Sequence, residues 1–227
     1  MKHFTRPIDI STVLRHYLPM NTNENSSNKV GAPPHKKPWP EDPKYDPDLL
    51  KNGDYRNVID KYRYWYLDEI KKDLAKNSLP IQIAVENFQY DFNIGTIVRN
   101  ANAFNVLAVH IIGRKHWNKR GAMVTDRYLQ VYYHKTVDEF NKAVQGWNII
   151  AVDNIKGATK LQEFIFPKNP VLVFGAEGPG LSQEMLNIAS STIAIEQYGS
   201  TRSLNVGVAS GIILYEAVQS LNHSHKG

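Results

Sequence analysis

The chain has no cysteine, which removes disulfide bridges and thiolate metal sites from consideration. Its eight histidines are scattered without H-x-x-x-H or comparable ligand spacing, so no metal is expected. No stretch approaches the roughly 18 uninterrupted apolar residues of a membrane span, and the opening MKHFTRPIDISTVL lacks an apolar signal core. A cytoplasmic protein is expected. Two common nucleotide signatures are also missing: the glycines at 175, 178 and 180 do not fit G-x-G-x-x-G, and no P-loop lysine follows them.

What remains is a chain of 227 residues, 42% apolar, long enough for one sizeable core. The net charge of +5 favours polyanionic partners such as nucleic acid without deciding the matter. Residues 19 to 48 are dense in Pro, Asn, Ser and charge and read as a linker or extended arm, preceded by a short helix at Ile10 to Leu18. Tyr55 to Asn77 then reads as one helix, with Ile59, Tyr62, Tyr66, Ile70 and Leu74 at spacings of three and four. Its cluster KYRYWY, Lys61 to Tyr66, admits base stacking, although the spacing suits docking on the core better.

From Ile81 the pattern changes. Ile81 to Asn87, Val106 to Gly113, Asn148 to Ile155, Val171 to Glu177 and Thr192 to Gln197 are short, β-branched and continuously apolar, as strands buried on both faces should be. Helical segments fall between them at Ile94 to Phe104, Val137 to Trp147, Gln183 to Ala189 and Leu204 to Leu221. The alternation predicts an α/β fold, a mostly parallel sheet with helices on both faces. Ligands of such sheets lie beyond the carboxyl ends of the strands.

Three segments fall at those ends. FGAEGPGLS, Phe174 to Ser182, joins a strand to a helix through three glycines that let backbone groups approach a ligand. SLNVGVASGIILYE, Ser203 to Glu216, offers Ser203 and Asn205 as helix caps, then Gly207, Ala209, Ser210 and Gly211, small residues that admit another backbone closely. A glycine in a helix costs about 1 kcal/mol against alanine, so that run requires compensation. NIGTIVRNANAFN, Asn93 to Asn105, begins with Asn93 as a helix cap and carries a lone cation, Arg99, within an otherwise neutral helix.

Together these segments resemble the SpoU (TrmH-like) branch of the SPOUT RNA methyltransferases, over about Ile81 to Leu221. The first family motif is matched by Asn93, Gly95 and Arg99, the second, G-x-E-x-x-G, by Gly175, Glu177 and Gly180, and the third, S-L-N, by Ser203, Leu204 and Asn205. The resemblance implies a deep C-terminal trefoil knot, an S-adenosylmethionine pocket in the knot loops, a homodimer and methyl transfer to a ribose 2′-hydroxyl of tRNA or rRNA. It divides the chain into an N-terminal extension (1–79), a methyltransferase domain (80–222) and a tail (223–227). Gly175, Glu177, Gly180, Ile195, Ser203, Leu204 and Asn205 are then the cofactor residues, and Arg99 and Asn93 face the nucleotide from the partner subunit. A guanidinium has no acceptor and a pKa above about 12, so Arg99 is assigned to stabilising the alkoxide and a flanking phosphate rather than to removing the proton.

The chain departs from the family pattern at Asn105, where glycine is usual, at Gln197 and Tyr198, in place of a Pro-containing turn, and at Gly207, where Ser is common. An RNA surface is expected on Gly113 to Arg127, where Arg114, Lys115, Lys119, Arg120 and Arg127 oppose a single acid and Trp117 is available for stacking. The competing reading of that segment is a solvated charged loop. Three other functions stay open at this point: a noncatalytic RNA-binding homologue, a dinucleotide-dependent α/β enzyme and a base methyltransferase with the same knot.

Overall fold

In the computed structural model, residues 31–88, 93–175 and 178–224 are described. Seven strands, β1 (Leu79–Asn87), β2 (Val106–Gly113), β3 (Val131–His134), β4 (Asn148–Val152), β5 (Thr159–Lys160), β6 (Pro170–Phe174) and β7 (Ser191–Ala194), form one sheet in the order β3-β2-β1-β6-β4-β7-β5. Every pairing is parallel. The helices are α1 (Pro47–Asn52), α2 (Leu67–Lys76), α3 (Ile94–Ala103), α4 (Val137–Ala143), α5 (Gln183–Ile188) and α6 (Val206–Ser224).

The continuous apolar runs follow from burial on both faces. Ile81, Ile83 and Val85 of β1 pack with Ile97, Val98 and Ala101 of α3 and with Ile213, Leu214 and Ala217 of α6. Ala84, one residue out of phase, belongs to a second cluster with Phe140 of α4 and Met185 of α5 on the opposite face. Each large apolar side chain removed fully from water contributes about 1.5–3 kcal/mol relative to exposure, so an unpartnered polar replacement on either face is costly.

Strand order positions the functional segments. β6 inserts between β1 and β4, and β7 lies beyond β4, yet the chain returns from β7 so that α6 packs against α3, the helix that follows β1. The loops after β4, β6 and β7 therefore converge at one edge, the carboxyl end of the sheet.

The predicted α/β alternation stands, with two additions. β3 and the two-residue β5 escape recognition because neither forms an apolar run: VYYH is half exposed and Thr159 and Lys160 are both exposed. The region before β1 differs more. Tyr55 to Asn77 is broken, with a 3-10 turn at Asp60–Tyr62 and a helix only from Leu67. Asp54 is fully buried and accepts from Arg56 Nε (2.8 Å), Arg56 Nη2 (2.7 Å) and the amide of Tyr64 (2.9 Å). Arg56 also donates to the Trp65 carbonyl (2.9 Å), and Tyr64 adopts φ +64°. These local bonds occupy groups a helix would need. Burial would raise the Asp54 pKa, but Arg56 and the backbone donors outweigh it and hold the carboxyl below its usual value.

Residues 31–48, expected as linker, are tied to the same network. Ala32 bridges Asp54, Tyr45 bridges Trp65, and Tyr64 donates to the Pro33 carbonyl at 2.6 Å. Lys44 lies 4.6 Å over the Trp65 ring, a favourable cation–π arrangement. The helix expected at Ile10 to Leu18 and the rest of the linker lie outside the described residues.

Candidate functional site

A pocket opens where β4, β6 and β7 end, lined by Val152, Asp153, Phe174, Gly175, Gly180, Ile195, Gln197, Ser203 and Leu204 among others. Its wall is built by close backbone approach. A Cβ at Gly175 would lie 2.5 Å from both the Gly180 carbonyl oxygen and the Leu181 nitrogen, distances no side chain tolerates, so the loop closes on itself only with glycine there. Five of the seven residues expected to hold a cofactor, Gly175, Gly180, Ile195, Ser203 and Leu204, line this pocket. Glu177 lies outside the described residues.

Asn205 is not in the lining and does two other things. Its Oδ1 accepts from the amides of Gly207 (3.0 Å) and Val208 (3.3 Å), capping α6, while its Nδ2 donates to Asn93 Oδ1 at 2.9 Å. Asn93 stands at the N-cap position of α3 without capping it through its side chain; its Oδ1 accepts from Asn205 instead. The first and third motifs are thereby joined within one chain. α3 and α6 cross closely: Asn100 Nδ2 donates to the Gly207 carbonyl and to Ser210 Oγ, both at 2.9 Å, and a Cβ on Gly207 would meet Thr96 Cγ2 at 2.8 Å. That contact is the compensation required by the glycine-rich start of α6. Arg99 projects exposed from α3, with no hydrogen bond or ion pair among the described residues.

Two carboxylates that sequence reasoning did not single out hold the glycine loop. Glu86, at the end of β1 and 2% exposed, accepts from Ser182 N–H (2.7 Å) and Ser182 O–H (2.6 Å). Asp153, just past β4, accepts from Leu181 N–H at 3.0 Å. Charged acceptors of backbone N–H bonds are among the stronger hydrogen bonds. The available signal was an acid at the end of an otherwise apolar strand.

The basic segment lies on the other side of α3. Residues 118–122 pack against Gly95, whose absent side chain leaves room for the Ala122 amide and the Asn118 carbonyl, and Asn87 Nδ2 fixes the loop's start by donating to the carbonyls of Arg114 (2.6 Å) and His116 (3.1 Å). Arg114, Lys115, Lys119, Arg120 and Arg127 are all exposed. Lys119 is bonded to Asp126 at 2.7 Å, and that bond raises its pKa. Trp117 departs from expectation: it is 7% exposed and part of the core with α3, so its face is spent on packing rather than offered for stacking.

Chemically, the pocket offers glycine-lined backbone, a single carboxylate among its described lining residues and an acceptor, Gln197 Oε1, which is buried without a partner among the described residues. A cradle that an added Cβ would fill and an orphaned polar atom together fit a ligand read largely through main-chain groups. Residues 80–215 match the model of the SpoU rRNA methylase family. The chain belongs to the SpoU rRNA methylase family. Among curated proteins, the tRNA (guanosine(18)-2'-O)-methyltransferase of Aquifex aeolicus is 32% identical over 158 residues, 66% of this chain and 74% of that one. The protein of the same name from Escherichia coli K12 is 30% identical over 149 residues, 63% of this chain and 65% of that one. A solved A. aeolicus TrmH/SpoU tRNA modifying enzyme superposes with a TM-score of 0.62 at 29% identity, covering 70% of this chain and 84% of that structure. The family match begins within β1 and ends in α6, so it takes in both walls of the pocket and omits residues 31–79.

Proposed function

We propose that this SpoU-family chain is an S-adenosylmethionine-dependent methyltransferase acting on a ribose 2′-hydroxyl of tRNA or rRNA. The observation that carries the reading is the junction of all three motifs at one edge of the sheet: Gly175, Gly180, Ser203 and Leu204 line one pocket, and Asn205 ties it to Asn93 of the helix bearing Arg99. The two relatives named as tRNA 2'-O-methyltransferases support the substrate class.

When bound, S-adenosylmethionine supplies an electrophilic methyl. Gly175, Ile195 and Leu204 would hold it largely through backbone, with Gly180 and Ser203 shaping the same cavity. Arg99 stabilises charge developing on the attacking oxygen and holds a flanking phosphate, and Asn93 keeps that helix in register with the pocket. RNA approaches over Arg114, Lys115, Lys119, Arg120 and Arg127. A C-terminal trefoil knot is the topology this family reading entails, and the late insertion of β6 with the return of α6 to α3 is compatible with it. The enzyme works in the cytoplasm as a homodimer. Val208, Ile212 and Tyr215 of α6 are exposed at spacings of four and three, an apolar stripe suited to a second copy, and each copy's Arg99 serves the partner's site.

Calorimetry with S-adenosylhomocysteine tests the pocket, and mass spectrometry of total RNA from cells with and without the gene tests the reaction. Arg99→Ala is expected to lower turnover by 10²–10³-fold, on the order of losing one charge-stabilising donor, while cofactor affinity stays within about twofold. Equal loss of both removes Arg99 from the chemistry.

A further inference from the structure

The pocket at the ends of β4, β6 and β7 contains one ionisable side chain among its described lining residues, Asp153. One carboxylate oxygen is engaged, Oδ2 accepting from Leu181 N–H at 3.0 Å. The same oxygen would lie 2.6 Å from a Cβ at Gly180, so the carboxylate is pressed against the loop by the turn that glycine makes at φ +72°. The three cations near the lining residues in sequence, Lys156, Lys160 and Arg202, do not line it. Lys156 is exposed, Lys160 is spent on Glu196 at 2.8 Å, and Arg202 is exposed, its carbonyl accepting from Asn154 Nδ2 at 2.9 Å. A negative charge fixed by a backbone bond, among described lining residues that are otherwise neutral, is therefore part of what any bound molecule meets.

We propose that Asp153 makes the pocket selective for the charge of its occupant, favouring the cationic methyl donor over the neutral thioether left after transfer. This rests on the reading of the pocket as an S-adenosylmethionine site. The donor and its product differ by a methyl group and by the positive charge on sulfur; their amino-acid and nucleoside parts are the same. A fixed carboxylate acts on that difference at a distance, because Coulomb energy in a partly desolvated cleft falls only as the inverse of separation. Transfer cancels the attraction in the same step that forms the product, which speeds product release. The bond to Leu181 is then a positioning device: it keeps the charge at the wall instead of letting the side chain swing into solvent.

The decisive comparison is calorimetric and uses the full chain. S-adenosylmethionine and S-adenosylhomocysteine are titrated into wild type and Asp153→Asn, a substitution that keeps an oxygen to accept from Leu181 and removes the charge. The expected result is a loss of about tenfold in affinity for the donor, with affinity for the product held within about twofold, so that the ratio of the two constants collapses. An equal loss for both ligands overturns the proposal and makes Asp153 a loop anchor alone; unchanged constants overturn it as well. Wild type binding neither ligand overturns the reading of the pocket itself, an outcome distinct from the other two. Asp153→Ala serves as the structural control, expected to weaken both ligands because the Leu181 N–H loses its acceptor.

Discussion

The pocket and the segment before β1 are held together by opposite means. Around Gly175 and Gly207 the structure depends on atoms that are missing, since backbone or a threonine methyl occupies the space a side chain would take. Around Asp54 it depends on atoms that are present: a buried carboxylate, two arginines and the carbonyls and amides they reach. One region should fail on addition and the other on removal.

The largest effect is expected from Arg56→Ala, which leaves Asp54 fully buried without its bidentate partner. Breaking such a pair from one side costs about 3–5 kcal/mol, read as a fall in urea midpoint. Affinity for S-adenosylhomocysteine in the fraction still folded should not change. A loss of less than 1 kcal/mol would show that residues 31–66 contribute little to the stability of the whole.

Acid should act on a third place, within the sheet itself. On the sheet face opposite α3, Gln82 Oε1 accepts from His110 Nε2 at 2.6 Å, and His110 Nδ1 accepts from His134 Nε2 at 2.9 Å, an assignment that satisfies each ring with a neutral His110. Burial, reinforced by the charge of His134, lowers the His110 pKa to about 4. The folded value is depressed below the unfolded one, so the contribution is complete above about pH 6.5 and lost as pH falls towards about 4, where roughly 3 kcal/mol has gone. His110→Gln should flatten the stability profile across that window. A profile unchanged by the substitution would assign the acid sensitivity to other groups.

Gly175→Ala is the matching test by addition. Its Cβ meets the Gly180–Leu181 backbone, so the loop must move, at a cost of about 1–3 kcal/mol in stability. Because that loop is the pocket wall, binding of S-adenosylhomocysteine should fall below detection even where the protein stays folded. Full retention of binding would mean that the glycine loop does not shape the ligand site.

The same contrast explains what was legible in the sequence. Backbone-made features leave a compositional trace: the glycines of Phe174 to Ser182 and the small residues after Asn205 announce close approach, and the apolar runs of β1, β2 and β6 announce strands covered on both faces. Asn105 fits its place for the same reason, with φ +49° and Nδ2 donating to the carbonyls of Leu74 and Asn77, a conformation that asparagine adopts more readily than most residues. Features made by side-chain partnership leave no such trace. Nothing in the spacing of Asp54 and Arg56 marks them as a buried pair, and Ile59, Tyr62 and Tyr66 carry a helical period that the Asp54 network overrides before the helix begins at Leu67. Glu86 and Asp153 were hidden likewise, because a carboxylate ending an apolar strand reads as a solvated charge until its acceptor role is seen. Trp117 failed in the other direction: cations on both sides suggested a surface ring, whereas the packing of residues 118–122 on Gly95 turns the loop so that the indole faces the core.

The smallest predicted effect concerns the surface where the two designs meet. Lys119 is exposed and paired with Asp126, and an exposed pair of this kind contributes about 0–1 kcal/mol to stability. Lys119→Ala should therefore leave the urea midpoint almost unchanged. If the segment from Arg114 to Arg127 carries RNA, the same substitution removes one phosphate contact, and the slope of log affinity against log salt should decrease in magnitude by about 1. The pairing with Asp126 sharpens the expectation. Where RNA displaces the carboxylate, Asp126→Asn frees the lysine and strengthens binding; where the ion pair persists in the complex, that substitution has no effect on affinity. A salt slope indifferent to both changes would turn the segment into a solvated loop, leaving the RNA to approach by the exposed face of α3 around Arg99.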